Sequence, residues 1–147
     1  MAKDKIIFPD RFHFQTTIEI RTSDLNYGGH LGHAQFFEII HEARIRFLNH
    51  YGLSEHKFYS GSLILSHASA EFKSQAFHGD VLSIKVEPEN FRRTRFDLVY
   101  KVENTATGKL VALFRTEMGC FDYVKETILA LPAEFVALFE DHHESKG

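Results

Sequence analysis

One short run of this sequence concentrates side chains able to do chemistry: Asp24-Leu25-Asn26-Tyr27-Gly28-Gly29-His30-Leu31-Gly32-His33. An aspartate, an asparagine, two histidines and three glycines stand directly ahead of a segment whose apolar residues recur at helical spacing. The first backbone N–H groups of a helix are unpaired and carry the positive end of its dipole. Glycines such as Gly29 let a ligand come close to the chain. A terminus built from the amides of Gly32 and His33 could therefore polarise a carbonyl and hold the oxyanion formed when it is attacked. Asp24, Asn26, His30 and His33 could position or activate water beside it. Asparagine can orient a water but cannot take its proton. An imidazole, titrating near pH ~6.5 when unperturbed, can. The same residues also suit a plain capped loop, with Asp24 and Asn26 forming turns and both histidines on the surface. Spacing alone leaves both readings open.

The elements that would hold this run follow from periodicity. Residues 11–21 alternate, with Phe12, Phe14, Thr16, Ile18 and Ile20 on one face, as in a half-buried strand. Phe36, Phe37, Ile40, Ala43, Phe47, Leu48 and Tyr51 then recur at three and four, which predicts a helix over about 33–51, ended by Gly52. Strands are expected at 62–74, 81–87, 91–103 and 109–123, with turns at His78-Gly79-Asp80 and Glu87-Pro88-Glu89-Asn90 and a hairpin loop from Asn104 to Gly108. Pro132 opens a short amphipathic helix carrying Phe135, Val136, Leu138 and Phe139. Short turns between consecutive strands make them antiparallel, and the long helix needs that sheet to cover its apolar arc. The expectation is α+β, one domain over 1–147. A lone copy would leave a sheet edge exposed, which points to a homodimer or homotetramer.

Composition limits the partners. With 147 residues the chain can build a sizeable core, and a net charge of -3 gives no basic footprint for nucleic acid. Fifteen Phe and no Trp suggest a core or pocket of flat apolar rings. Cys120 is the single cysteine, which excludes an internal disulfide and multi-cysteine zinc sites and suits a cytoplasmic protein. No run is long and apolar enough for a signal peptide or a membrane span. His30 and His33 form H-x-x-H without the third close ligand that zinc needs, so no metal is expected. Arg92 and Arg93, beside Thr94 and Arg95, could meet the phosphates of a nucleotide-bearing substrate or guard an exposed edge. Arg44 falls in the helix's apolar arc and needs a carboxylate, for which Asp24 or Glu71 is the candidate.

The stretch from Ser23 to Arg44, with the run above followed by Phe36-Phe37 and Glu42-Ala43-Arg44, resembles the acyl-CoA thioesterases of the 4-hydroxybenzoyl-CoA thioesterase-like family. Phe77-His78-Gly79-Asp80-Val81-Leu82 is similar to that family's turn between its middle strands. The resemblance implies a hot-dog fold, in which an antiparallel sheet wraps one long central helix. It also implies a thioester substrate on coenzyme A or an acyl carrier protein, hydrolysed to free acid and thiol without a cofactor. The family's pattern is Asp-x-Asp, then glycine, then the helix. Asp24 matches the first aspartate, but Asn26 occupies the second, which in the family acts as base or nucleophile. His30 matches the histidine of the family's Gly-His-Val-Asn-Asn loop, and Gly32 and His33 replace its asparagine pair. His33 falls where the family's oxyanion hole forms.

These residues lead to one principal expectation, a thioesterase in which helix-start amides hold the oxyanion and Asn26 and His33 position or activate water. Its rivals are a hot-dog enoyl-thioester hydratase/dehydratase, for which no second His/Asp-rich loop is visible, and a non-catalytic acyl-thioester or lipid-binding module.

Overall fold

The computed structural model describes residues 5–140. The elements run β1 (Phe14–Glu19), α1 (His33–His50), β2 (Ser62–Phe72), β3 (Val81–Glu89), β4 (Arg95–Asn104), β5 (Leu110–Asp122), β6 (Thr127–Ile128) and α2 (Ala133–Ala137). The strands form one antiparallel sheet in the order β1-β3-β4-β5-β2, with the short β6 beside the end of β5. This is the α+β hot-dog arrangement, and α1 lies across the sheet's inner face.

The helix forms where the apolar period said it would. It buries Phe36, Ile39, Ile40, Ala43, Phe47 and Leu48 against Leu82, Ile84, Val86, Phe96, Leu98, Tyr100 and Phe114 of the sheet. Each large apolar side chain so buried contributes roughly 1.5–3 kcal/mol. The helix ends at Gly52, whose φ of 75° is open only to a residue without a Cβ at little cost.

The strand expected from residue 91 starts only at Arg95, and three further sequence expectations are corrected. The first strand begins at Phe14 rather than residue 11, because the segment before it crosses the sheet's outer face: Ile6 is buried there, and its N–H donates to Glu71 Oε2 at 2.9 Å. The turn expected at Glu87–Asn90 starts later, since β3 continues through Pro88 to Glu89. Pro88 pairs with Leu98 of β4 on one side only, and β1 stops at the level of Val86, so the missing N–H faces no ladder. Arg44 pairs with neither Asp24 nor Glu71. Its Nε donates to Glu55 Oε2 at 2.6 Å and its Nη1 to the Tyr100 hydroxyl at 3.3 Å.

β2 is an end strand of the sheet, eleven residues long, and Ser66, His67, Ala68 and Ser69 on it are exposed. Leu65, Phe72 and Phe37 beside it are also partly open.

Candidate functional site

The run ahead of α1 is folded back on itself by its own polar groups. A 3-10 turn over Thr22–Asp24 starts it. The buried Asp24 accepts from the Arg21 N–H at 2.8 Å, and its carbonyl accepts from the Gly32 N–H at 3.3 Å. Asn26 Oδ1 accepts from the N–H groups of Gly28 (2.9 Å) and His30 (3.4 Å), while Asn26 N–H donates to the His30 carbonyl at 2.8 Å. Leu31 N–H donates to the Ala76 carbonyl at 2.8 Å, which ties the loop to the chain between β2 and β3. Asp24 and Asn26 therefore shape the loop, as turn chemistry predicts.

What the loop presents is the start of α1. Gly32 is the N-cap and brings no side chain to cap the helix. The Phe36 N–H reaches the Gly32 carbonyl at 2.8 Å, so the intrahelical ladder begins there. The N–H groups of His33, Ala34 and Gln35 have no protein acceptor among the described residues. Of the two amides expected to form an oxyanion hole, that of Gly32 is directed to Asp24. That of His33 is left open, as are those of the neighbouring Ala34 and Gln35.

Beside this terminus lies a cavity of about 230 Å3 walled by His30, His33, Phe36, Phe72 and the 73–76 segment. His30 is half-buried, and its Nδ1 sits 3.2 Å from the Leu31 carbonyl. A carbonyl only accepts, so Nδ1 carries the proton and Nε2 of the neutral ring is the free acceptor. His33 stacks flat on Phe72, ring centroids 3.9 Å apart and 6° from parallel. Its two ring nitrogens bond to nothing else among the described residues.

The structure thus brings His30 and His33 to one cavity and sets Asn26 apart. Asn26 lines a shallow depression with Leu25, Tyr27 and Gln35. Gly29, at φ 78°, is an exposed corner of the loop. Arg92, Arg93 and Thr94 lie between β3 and β4 and do not line the cavity. Arg92 is committed elsewhere: Nη2 meets Glu117 at 2.6 Å and Asp97 at 3.2 Å. Burial alone would raise the Glu117 carboxyl, but hydrogen bonds from His67, Ser66 and Arg92 and the charge of Arg95 outweigh it and hold the group at about 2. The Arg93 side chain is exposed and makes no bond among the described residues. Cys120 is a core residue, its thiol pushed up to about 11 by burial, which leaves no thiolate for nucleophilic work.

Gln35 escaped sequence reasoning. Its Oε1 folds over Gly32 so closely that a Cβ at position 32 would lie 2.2 Å from it. Its place three residues after the N-cap, where Gln and Glu often reach back over a helix start, was the available signal. Phe72 had no such signal, because only the pairing of β2 beside the helix start brings it there.

Comparison with known proteins agrees with the fold. The profile of the thioesterase-like superfamily matches residues 20–139. A 1,4-dihydroxy-2-naphthoyl-CoA hydrolase from Crocosphaera subtropica is 31% identical over 102 residues, covering 67% of this chain and 74% of the relative. The crystal structure of a 1,4-dihydroxy-2-naphthoyl-CoA thioesterase from Synechocystis superposes with a TM-score of 0.74 at 25% identity, covering 81% of this chain and 89% of the other. A Staphylococcus aureus protein solved in complex with CoA shares the fold, with a TM-score of 0.78 at 18% identity over 89% of this chain and 84% of that one.

Proposed function

Because this chain belongs to the thioesterase-like superfamily and is an acyl-CoA thioesterase, we propose that its reaction centre is the cavity between His30, His33 and Phe72 at the start of α1. The thioester carbonyl oxygen docks on the open N–H groups of His33 and Ala34. They are stronger donors to the oxyanion of the tetrahedral intermediate than to the ground-state carbonyl. His30 Nε2 takes a proton from the attacking water and returns it to the departing thiolate. Asn26 acts from outside the cavity, holding the loop by accepting from Gly28 and His30. The observation that carries this reading is the Leu31 carbonyl on His30 Nδ1, which fixes the tautomer a base requires. The aromatic walls suit a flat acyl group, in keeping with the dihydroxynaphthoyl substrates named for the two relatives. Arg93, free and exposed, meets a phosphate of the CoA moiety.

The site is completed by a second copy. The unpaired edge of β2 carries exposed Leu65 and Phe72, and Phe72 itself walls the cavity, so strand pairing between two copies would roof both. Light scattering should report a dimer or a multiple of it. An active monomer of 17.0 kDa would overturn the shared site.

Thiol release from aromatic acyl-CoA substrates tests the chemistry. His30→Gln should lose about a hundredfold in kcat with KM little changed. Retention of the wild-type kcat in His30→Gln would move the base elsewhere.

A further inference from the structure

Farther along the seam between α1 and β2 a separate groove of about 240 Å3 opens, sharing no lining residue with the cavity. Phe37 and Ile40 from the helix and Leu65 and Ala68 from the strand give it apolar walls, and Glu38 and His41 of the helix line it as well. Its floor is polar and buried, made by Arg44 and Thr116, 6% and 2% exposed. These two belong to one hydrogen-bonded chain. Arg44 Nη1 donates to the Tyr100 hydroxyl, and that hydroxyl lies 2.8 Å from Thr116 Oγ1.

Counting hydrogens along that chain leaves some unplaced. Arg44 has five N–H donors; Nε is used on Glu55 and Nη1 on Tyr100, and Nη2 has no acceptor among the described residues. Tyr100 and Thr116 together carry two hydroxyl hydrogens, and their mutual bond uses one. The guanidinium side chain is 8% exposed, so water does not freely satisfy it. Buried donors without acceptors are costly and uncommon. Here both Arg44 and Thr116 line an open groove.

We infer that Arg44 and Thr116 form a specificity subsite that accepts a hydroxyl or carbonyl oxygen at the distal end of the acyl group. The inference rests on the thioesterase reading above, with the thioester held at the start of α1. His33 and Arg44 are eleven residues apart on α1, about 16 Å along its axis. The oxygen recognised is therefore remote from the scissile bond. A neutral oxygen fits better than a second carboxylate, because Arg44 already has Glu55 as counter-ion and Glu38 stands at the groove's edge. The apolar flanks take the hydrocarbon body between the two polar ends. A pocket built to hydrogen-bond a hydroxyl discriminates strongly against the analogue that lacks it, because its own buried groups are then left unpaired.

The experiment compares thiol release from matched pairs: naphthoyl-CoA and its distally hydroxylated analogue, then octanoyl-CoA and omega-hydroxyoctanoyl-CoA. The wild-type protein should favour at least one hydroxylated member by about tenfold or more in kcat/KM. Thr116→Val keeps the side-chain volume and should collapse that ratio about tenfold, while Thr116→Ser, which keeps the hydroxyl, should preserve it. Arg44 is a poor first target, since its loss would also break the bonds to Glu55 and Tyr100. Hydrolysis without preference for the hydroxyl, or a ratio equal in all three proteins, overturns the subsite and leaves the thioesterase reading intact. Thiol release from none of the substrates overturns both. If Thr116→Val loosens self-association with the ratio unchanged, the groove is occupied by a second copy and the subsite is wrong.

Discussion

The two ends of α1 are built from similar material and finished in opposite ways. At the C-terminal end the backbone is closed: Leu48 carbonyl accepts from the N–H groups of Tyr51 (3.0 Å) and Leu53 (2.9 Å), and Asn49 carbonyl accepts from Gly52 (3.0 Å). Aromatic rings then seal it, with Phe47 against Phe14, Tyr51 and Phe139, and Phe135 packed on Phe58, Phe96 and Phe139. At the N-terminal end three amides stay open, the N-cap is a glycine, and the adjoining rings wall a cavity instead of filling it. One end spends its hydrogen bonds and apolar surface on stability. The other leaves capacity unspent, and unspent capacity in a concave place is what a ligand can use.

The contrast breaks most visibly at Phe135, which is fully buried at the closed end. Phe135→Ala should cost about 3–5 kcal/mol in denaturant unfolding. It should leave kcat for thiol release unchanged in the protein that remains folded. A comparable loss of stability from changes at the open end would erase the distinction.

The loop residue Asn26 sharpens the comparison from the other side. Asn26→Ala removes the acceptor for two loop amides and should lower kcat on the order of a hundredfold, measured by thiol release. Asn26→Asp keeps that acceptor and should retain activity or raise it. Equal activity in the Ala variant would reduce the loop to a glycine-rich cap.

Charges on the sheet's outer face resemble the closed end in being already committed. Glu117 is held at about 2, below its ordinary 4.5, so its contribution is present above about 4.5 and fades as pH falls toward 2. Glu117→Gln should destabilise the protein by on the order of 1 kcal/mol at neutral pH, with partial exposure limiting the effect. Variant and wild type should converge in acid, which urea titrations at several pH values would show.

The smallest effect is expected at Arg93, the uncommitted neighbour of Arg92. Arg93→Ala should raise KM for acyl-CoA a few-fold, about 0.5–1 kcal/mol, and leave KM unchanged for a short thioester without the nucleotide. Arg92→Ala should instead register in stability, since its guanidinium binds Asp97 and Glu117.

Much of this molecule was legible before folding because the relevant signals are local. The three-and-four spacing of Phe36, Ile40, Ala43 and Phe47 fixes a helix whatever packs on it, and Gly52 and Gly108 sit at positive φ where the sequence placed a helix end and a hairpin. Asp24 and Asn26 shape their own loop, since their side-chain bonds join residues no more than four apart. The tertiary structure alone decided where chains far apart in sequence meet. The order β1-β3-β4-β5-β2 brings Phe72 onto His33 and gives Pro88 a side with no ladder. Burial in the seam gives Arg44 a hydroxyl partner 56 residues away and places it in the lining of a groove, whereas Arg92, of the same residue type, is neutralised on the outer face. Residue type sets how many hydrogen bonds a side chain can make. Which of them are filled depends on long-range neighbours and on access to water, and periodicity carries neither.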